Sequence, residues 1–77
     1  MKINILAFGQ VATVTGNNVV LEEEIINTDT LKIVLHNRYP ALRGLKYSIA
    51  VDKKMVHENV ELKENSTVAL LPPFSGG

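Results

Sequence analysis

Residues 27–40, NTDTLKIVLHNRYP, carry both a start and a stop signal for a helix. Asn27, Thr28 and Asp29 all have side-chain oxygens that suit an N-cap, where the first-turn amides have no partner within the helix. Behind them Leu31, Val34, Leu35 and Arg38 recur at steps of three and four, the helical period. Tyr39 lies four residues beyond Leu35 and continues the apolar face. Pro40 then disfavours helical geometry at Tyr39 and ends the segment. The spacing predicts a helix over about 28–38.

Strand signals surround it. KINILAF (2–8) is short, β-rich and bounded by Gly9. In a strand Ile3 and Ile5 share one face, and Asn4, Leu6 and Phe8 share the other. GQVATVTGN (9–17) reads as either a short helix or a loop, closed by the turn signal Gly16-Asn17. NVVLEEEII (18–26) predicts a strand over about 18–25 with Glu22 to Glu24 partly solvated, although the triple glutamate also suits a helix. After the helix, 41–46 (ALRGLK) reads as loop. YSIAV (47–51) reads as a strand with Tyr47, Ile49 and Val51 on one face. Asp52-Lys53 is a tight turn lacking the usual glycine. KMVH (54–57) forms a return strand, and 58–66 is polar with Val60 and Leu62 as isolated apolar anchors. TVALL (67–71) is the last strand, stopped by Pro72-Pro73 because proline cannot donate to a ladder. Strands dominate and one helix covers a sheet face, an α+β layer architecture. In the β-grasp form of it, the helix packs across a mixed sheet with the first and last strands side by side in the centre.

Composition bounds the function. The chain has 77 residues and a mass of 8.5 kDa, which is one domain. Folding would bury about 60% of the unfolded surface, enough for one small core. A cofactor-sized pocket as well as that core does not fit, which argues against a self-sufficient enzyme. Eight basic and eight acidic side chains give zero formal charge, so the basic excess of a nucleic-acid binder is missing. Without cysteine there is no disulfide, thiolate zinc site or cysteine nucleophile. No apolar run approaches the roughly 20 residues of a membrane span. Met1-Lys2-Ile3-Asn4-Ile5 reads as a strand and not as a signal peptide. A soluble, cytoplasmic protein is the expectation.

The last six residues, Pro72-Pro73-Phe74-Ser75-Gly76-Gly77, concentrate several physical features. Two prolines favour a stiff, extended exit from the sheet. Phe74 is the only large apolar group beyond them. Gly76 and Gly77 lack side chains, so their backbone can enter a channel too narrow for a Cβ. Extended, 74–77 reach about 13–14 Å. The Gly77 α-carboxylate would be the outermost functional group. It is a poor electrophile while anionic, and adenylation with ATP would make it a good acyl donor. The division expected is a domain over 1–71 and an extended functional tail over 72–77.

These residues resemble the ubiquitin-like sulfur carriers, the MoaD/ThiS family, and most closely the small subunit of molybdopterin synthase (MoaD-type). Leu71-Pro72-Pro73-Phe74-Ser75-Gly76-Gly77 looks like that family's C-terminal motif, and it is the specific part of the likeness. Phe8-Gly9-Gln10-Val11 looks like its opening segment, and Leu35-His36-Asn37-Arg38-Tyr39-Pro40-Ala41-Leu42 is similar to the end of its helix. Ala50-Val51-Asp52 stands where the family usually has Val-Asn, a departure confined to a turn. The resemblance implies a β-grasp fold and a chain that is not itself an enzyme. It implies no bound cofactor, only a transient glycyl-adenylate and then a 1-thioglycine at Gly77. An ATP-dependent activating enzyme (MoeB-type) and the molybdopterin synthase large subunit (MoaE-type) would be the partners. Gly77 would carry the sulfur and Gly76 would permit threading. Pro72, Pro73, Phe74 and Ser75 would position the tail.

A docking face follows from strand alternation. With Ile3, Ile5, Val68 and Leu70 toward the helix, Leu6, Phe8, Ala69 and Leu71 form an apolar patch at the base of the tail, and such a patch marks a partner site. A register misread by one residue would instead bury these four. Three other fates share the tail: a ThiS-type carrier for thiazole synthesis, a protein modifier joined to lysine through Gly77, and a plain interaction module. The double proline favours the molybdopterin partner over the thiazole one. His36 and His57 are isolated and read as surface residues, with no metal site expected. Residues 30–54 hold six lysines or arginines and one acid, Asp52, a basic side or scattered surface charge.

Overall fold

Five strands and two α-helices form in the computed structural model, which describes residues 1–73. In chain order they are β1 (Lys2–Ala7), α1 (Gly9–Thr15), β2 (Asn18–Glu22), α2 (Thr28–Arg38), β3 (Ser48–Val51), β4 (Lys54–Val56) and β5 (Thr67–Leu71), with a 3-10 turn over Pro40–Gly44 before β3. The sheet order is β2-β1-β5-β3-β4. β1 and β5 run parallel at its centre, and the other pairings are antiparallel. This is the mixed sheet and helix of a β-grasp fold.

α2 spans the predicted residues. Asn27 is its cap, with an extended backbone and an Oδ1 that accepts the Thr30 amide at 2.8 Å. A second acceptor comes from far along the chain: Asn59 Oδ1 takes the Asp29 amide at 2.9 Å. The Thr28 hydroxyl, 2% exposed, donates to Asn59 Oδ1 at 3.3 Å and accepts the Val60 amide at 3.0 Å. With the Thr28 amide on the Val60 carbonyl at 2.9 Å, the start of the helix is tied to the 59–62 segment. Leu31 and Leu35 then point into the core beside Ile3, Ile5, Leu21, Ile25, Leu42, Leu62, Val68 and Leu70, all buried.

Three expectations need correction, and one left open is decided. The second strand ends at Glu22 and not near 25, because its partner β1 begins at Lys2, opposite Glu22; beyond that pair a single bond follows, from the Glu23 amide to the Met1 carbonyl at 3.1 Å. Ile25 leaves the sheet and fills the core, while Ile26 is exposed. The 41–46 loop is largely the 3-10 turn, which buries Leu42 completely. The ambiguous 9–17 segment is the helix α1, with Val11 as its buried anchor. The return strand stops at Val56, so His57 lies outside it.

The hairpin at Asp52-Lys53 forms without glycine. Both residues have positive φ, 46° and 74°, as a two-residue hairpin turn requires. Asp52 offsets the strain by bonding across to β5. Its amide donates to the Thr67 carbonyl at 2.8 Å, and its Oδ1 accepts the Thr67 amide at 3.0 Å.

Candidate functional site

Because β1 and β5 are parallel neighbours, their C-terminal ends arrive at the same edge of the sheet. β1 ends in Phe8 and Gly9, and β5 ends in Leu71 and Pro72. The Phe8 amide donates to the Leu70 carbonyl at 3.1 Å, which extends the ladder by one step beyond β1. At Gly9 the backbone turns away into α1 with φ +62°, and Pro72 lies directly against it. A Cβ built on Gly9 would sit 3.1 Å from Pro72 Cγ and 3.4 Å from Pro72 Cβ. Pro72 is half-buried in this position and Pro73 is exposed. Phe74, Ser75, Gly76 and Gly77, for which the family resemblance implies positioning, threading and sulfur carriage, lie outside the described residues.

The sheet face opposite the helices is organised in rows, since residues paired directly across strands share a face. Leu6, Ala69, Ala50 and Met55 form one apolar row across β1, β5, β3 and β4. Leu6 and Ala69 are half-buried and Met55 is exposed. Phe8, 47% exposed, continues this face beside Leu71, which pairs with Ser48. On the other side of the apolar row, Val20, Asn4, Thr67 and Asp52 make a more polar border. Ile3, Ile5, Val68 and Leu70 are buried on the helix side, so Leu6, Phe8, Ala69 and Leu71 share the open face. A hollow of about 270 Å³ lies between Leu6, Ala69, Thr67 and the Asp52-Lys53 turn.

Sequence reasoning missed three features. Ala50 and Met55 extend the apolar row, and only the register of β3 and β4 shows it. Gly9 appeared in a family motif, but its contact with Pro72 needs the parallel pairing of two strands more than sixty residues apart. His36 is not a free surface side chain: its Nε2 lies 2.7 Å from the Tyr47 hydroxyl, with the rings edge to face. Burial raises the Tyr47 phenol above its ordinary value of 10.0. Tyr47 also borders a polar hollow of about 160 Å³ with Lys32, His57 and Glu58. No group of three or more potential metal ligands exists among the described residues. No helix among them is long and apolar enough to cross a membrane.

The fold with this open face has solved counterparts. A putative molybdopterin converting factor subunit 1 from Pyrococcus furiosus superposes with a TM-score of 0.86 at 20% identity, covering 96% of this chain and 99% of that one. SAMP1 from Haloferax volcanii gives 0.81 at 19% identity, with full coverage of both chains. A complex of subunits 1 and 2 of the molybdopterin-converting factor from Helicobacter pylori gives 0.71 at 23% identity, again with full coverage. At such identities the likeness establishes the shared ubiquitin-like fold. The ThiS family model goes further, matching residues 5–77 from the first strand through the tail. The chain therefore belongs to the ThiS family.

Proposed function

We propose that this chain is a sulfur carrier acting as the small subunit of a molybdopterin synthase. The observation that carries the reading is the sequence Leu71-Pro72-Pro73-Phe74-Ser75-Gly76-Gly77, rooted at the end of a central strand beside an open apolar face. An ATP-dependent activating enzyme (MoeB-type) docks on that face, and the Gly77 carboxylate attacks the α-phosphorus of ATP, releasing pyrophosphate. Hydrosulfide displaces AMP and leaves a thiocarboxylate; a persulfide donor leaves an acyl disulfide, which a second thiol cleaves to the thiocarboxylate as the donor and that thiol close a disulfide. The large subunit (MoaE-type) takes the place of the activating enzyme, and the thiocarboxylate sulfur passes to the pterin precursor. Hydrolysis then regenerates the carboxylate. The chain needs no bound cofactor and no catalytic side chain of its own for this cycle, since chemistry at Gly77 is performed in its partners' sites. We place the cycle in the cytoplasm, with ATP and reduced sulfur.

The family match and the fold shared with molybdopterin converting factor subunit 1 support this reading, and the Helicobacter pylori complex supports a large-subunit partner. The deciding test is the intact mass of the chain from its native host. A species with one oxygen replaced by sulfur, located at Gly77 by fragmentation, is the expected result. Only unmodified chain, even after incubation with ATP, sulfide and the host's activating enzyme, would sink the proposal. Conjugate ladders on a denaturing gel would instead mean that a lysine amine captures the same activated carboxylate, the modifier fate.

A further inference from the structure

We propose that Gly9 is the positioning residue of the C-terminal arm, a seat for Pro72 that aims the segment beyond it. The inference rests on the function proposed above and adds a residue with a stated task. Two constraints coincide at Gly9. Its φ of +62° is a conformation that side chains disfavour, and the space where a Cβ would stand is already bounded by Pro72 Cγ at 3.1 Å and Cβ at 3.4 Å. Either alone would admit glycine for reasons of turn geometry. Together they mean that β1 turns away at the one place where the proline ring lies against bare backbone. A glycine elsewhere shows the contrast: at Gly16, also with positive φ, nothing lies within 4 Å of a built Cβ.

The ring matters because it is stiff. Proline fixes φ near −65°, so a ring held against Gly9 transmits its orientation to the residues that follow. The adjoining Phe8 amide, bonded to the Leu70 carbonyl at 3.1 Å, clamps the two chain ends just before the contact. A side chain at position 9 displaces the ring by a few tenths of an ångström, and so shifts the point from which the following residues start.

The variant is Gly9→Asn, because asparagine tolerates positive φ better than other side chains and so isolates the Cβ contact. Pro72→Ala removes Cγ and provides the relief background. The first readout needs no partner. A nitroxide on Ser75→Cys broadens amide signals on the sheet face, and Gly9→Asn should change which of the Leu6, Ala69 and Gln10 amides are broadened. In the Pro72→Ala background it should change little. An unchanged pattern in the folded Gly9→Asn variant would overturn the proposal. The second readout is ATP–pyrophosphate exchange by the activating enzyme. Docking on Leu6 and Ala69 is untouched, so KM should stay within about twofold. Misaiming near ~1 Å should lower kcat about tenfold to a hundredfold. A merely structural role predicts the opposite, a raised KM with kcat unchanged, because only the folded fraction would bind. If wild-type chain supports no exchange at all, the proposed function fails, while the broadening pattern still decides whether Gly9 sets the arm's direction.

Discussion

Replacing Thr28 by valine should be among the most damaging changes available to a single oxygen in this protein. Valine has the same shape and nearly the same helix propensity as threonine, so packing and helix formation are held constant. What disappears is a hydroxyl, 2% exposed, that accepts the Val60 amide at 3.0 Å and donates to Asn59 Oδ1 at 3.3 Å. The Val60 amide is left without its partner at a part-buried site, at a cost of about 1–3 kcal/mol. Taking about 2 kcal/mol, a domain of this size should melt about 8–16 °C lower. Urea unfolding followed by circular dichroism should show a lower midpoint with the slope unchanged. Asn59→Ala made alone and in combination should reveal coupling between the two positions, since they share a hydrogen bond. A loss below about 0.5 kcal/mol, the range of ordinary surface substitutions, would show that water reaches the Val60 amide and would refute the account of this tie.

Ile5→Ala, at a core position 1% exposed in a central strand, should destabilise by about 2–5 kcal/mol in the same denaturation assay. Leu6→Asp places a charge in the apolar row on the open face. It should leave the far-ultraviolet spectrum intact while weakening binding to the activating enzyme by at least about tenfold in calorimetry, as loss of an interface anchor does. Tyr47 ionises at higher pH when folded than when unfolded. Its contribution is therefore fully present below pH 10.0 and lost as pH rises through the folded value, so the stability of wild type should fall more steeply than that of Tyr47→Phe in alkaline titrations.

Local chemistry explains why some elements are legible in the sequence and others are not. α2 has a capping asparagine, helical spacing and a terminating proline within fourteen residues, so its limits follow from 27–40 alone. β5 is equally clear, because Pro72 must end it. β2 overruns in the sequence because its apolar and β-branched residues continue past Glu22, and only the start of β1 limits the pairing. α1 contains Val11, Thr13, Val14 and Thr15, which favour strands, so its helical state reflects the turn at Gly9 and the burial of Val11 over local preference. The open face was legible in Leu6, Phe8, Ala69 and Leu71 because alternation is strict in strands. Ala50 and Met55 were not, since nothing local tells which side of a short hairpin faces out. The seat at Gly9 needed knowledge of which two strands are neighbours.

The strand at the centre of the sheet is the last of the described elements to be made. Until residues 67–71 are available, β1 and β3 have no neighbour between them, and the core residues Val68 and Leu70 are missing. Pairings between distant parts of a chain form slowly, because loop closure precedes any gain from contact. Assembly of this protein is therefore deferred until synthesis has passed Leu71. A nascent or prematurely terminated chain has no complete sheet for a partner to recognise. The order of the strands thus acts as a checkpoint on the fold, since only chains whose 67–71 strand has been translated and inserted present the complete sheet.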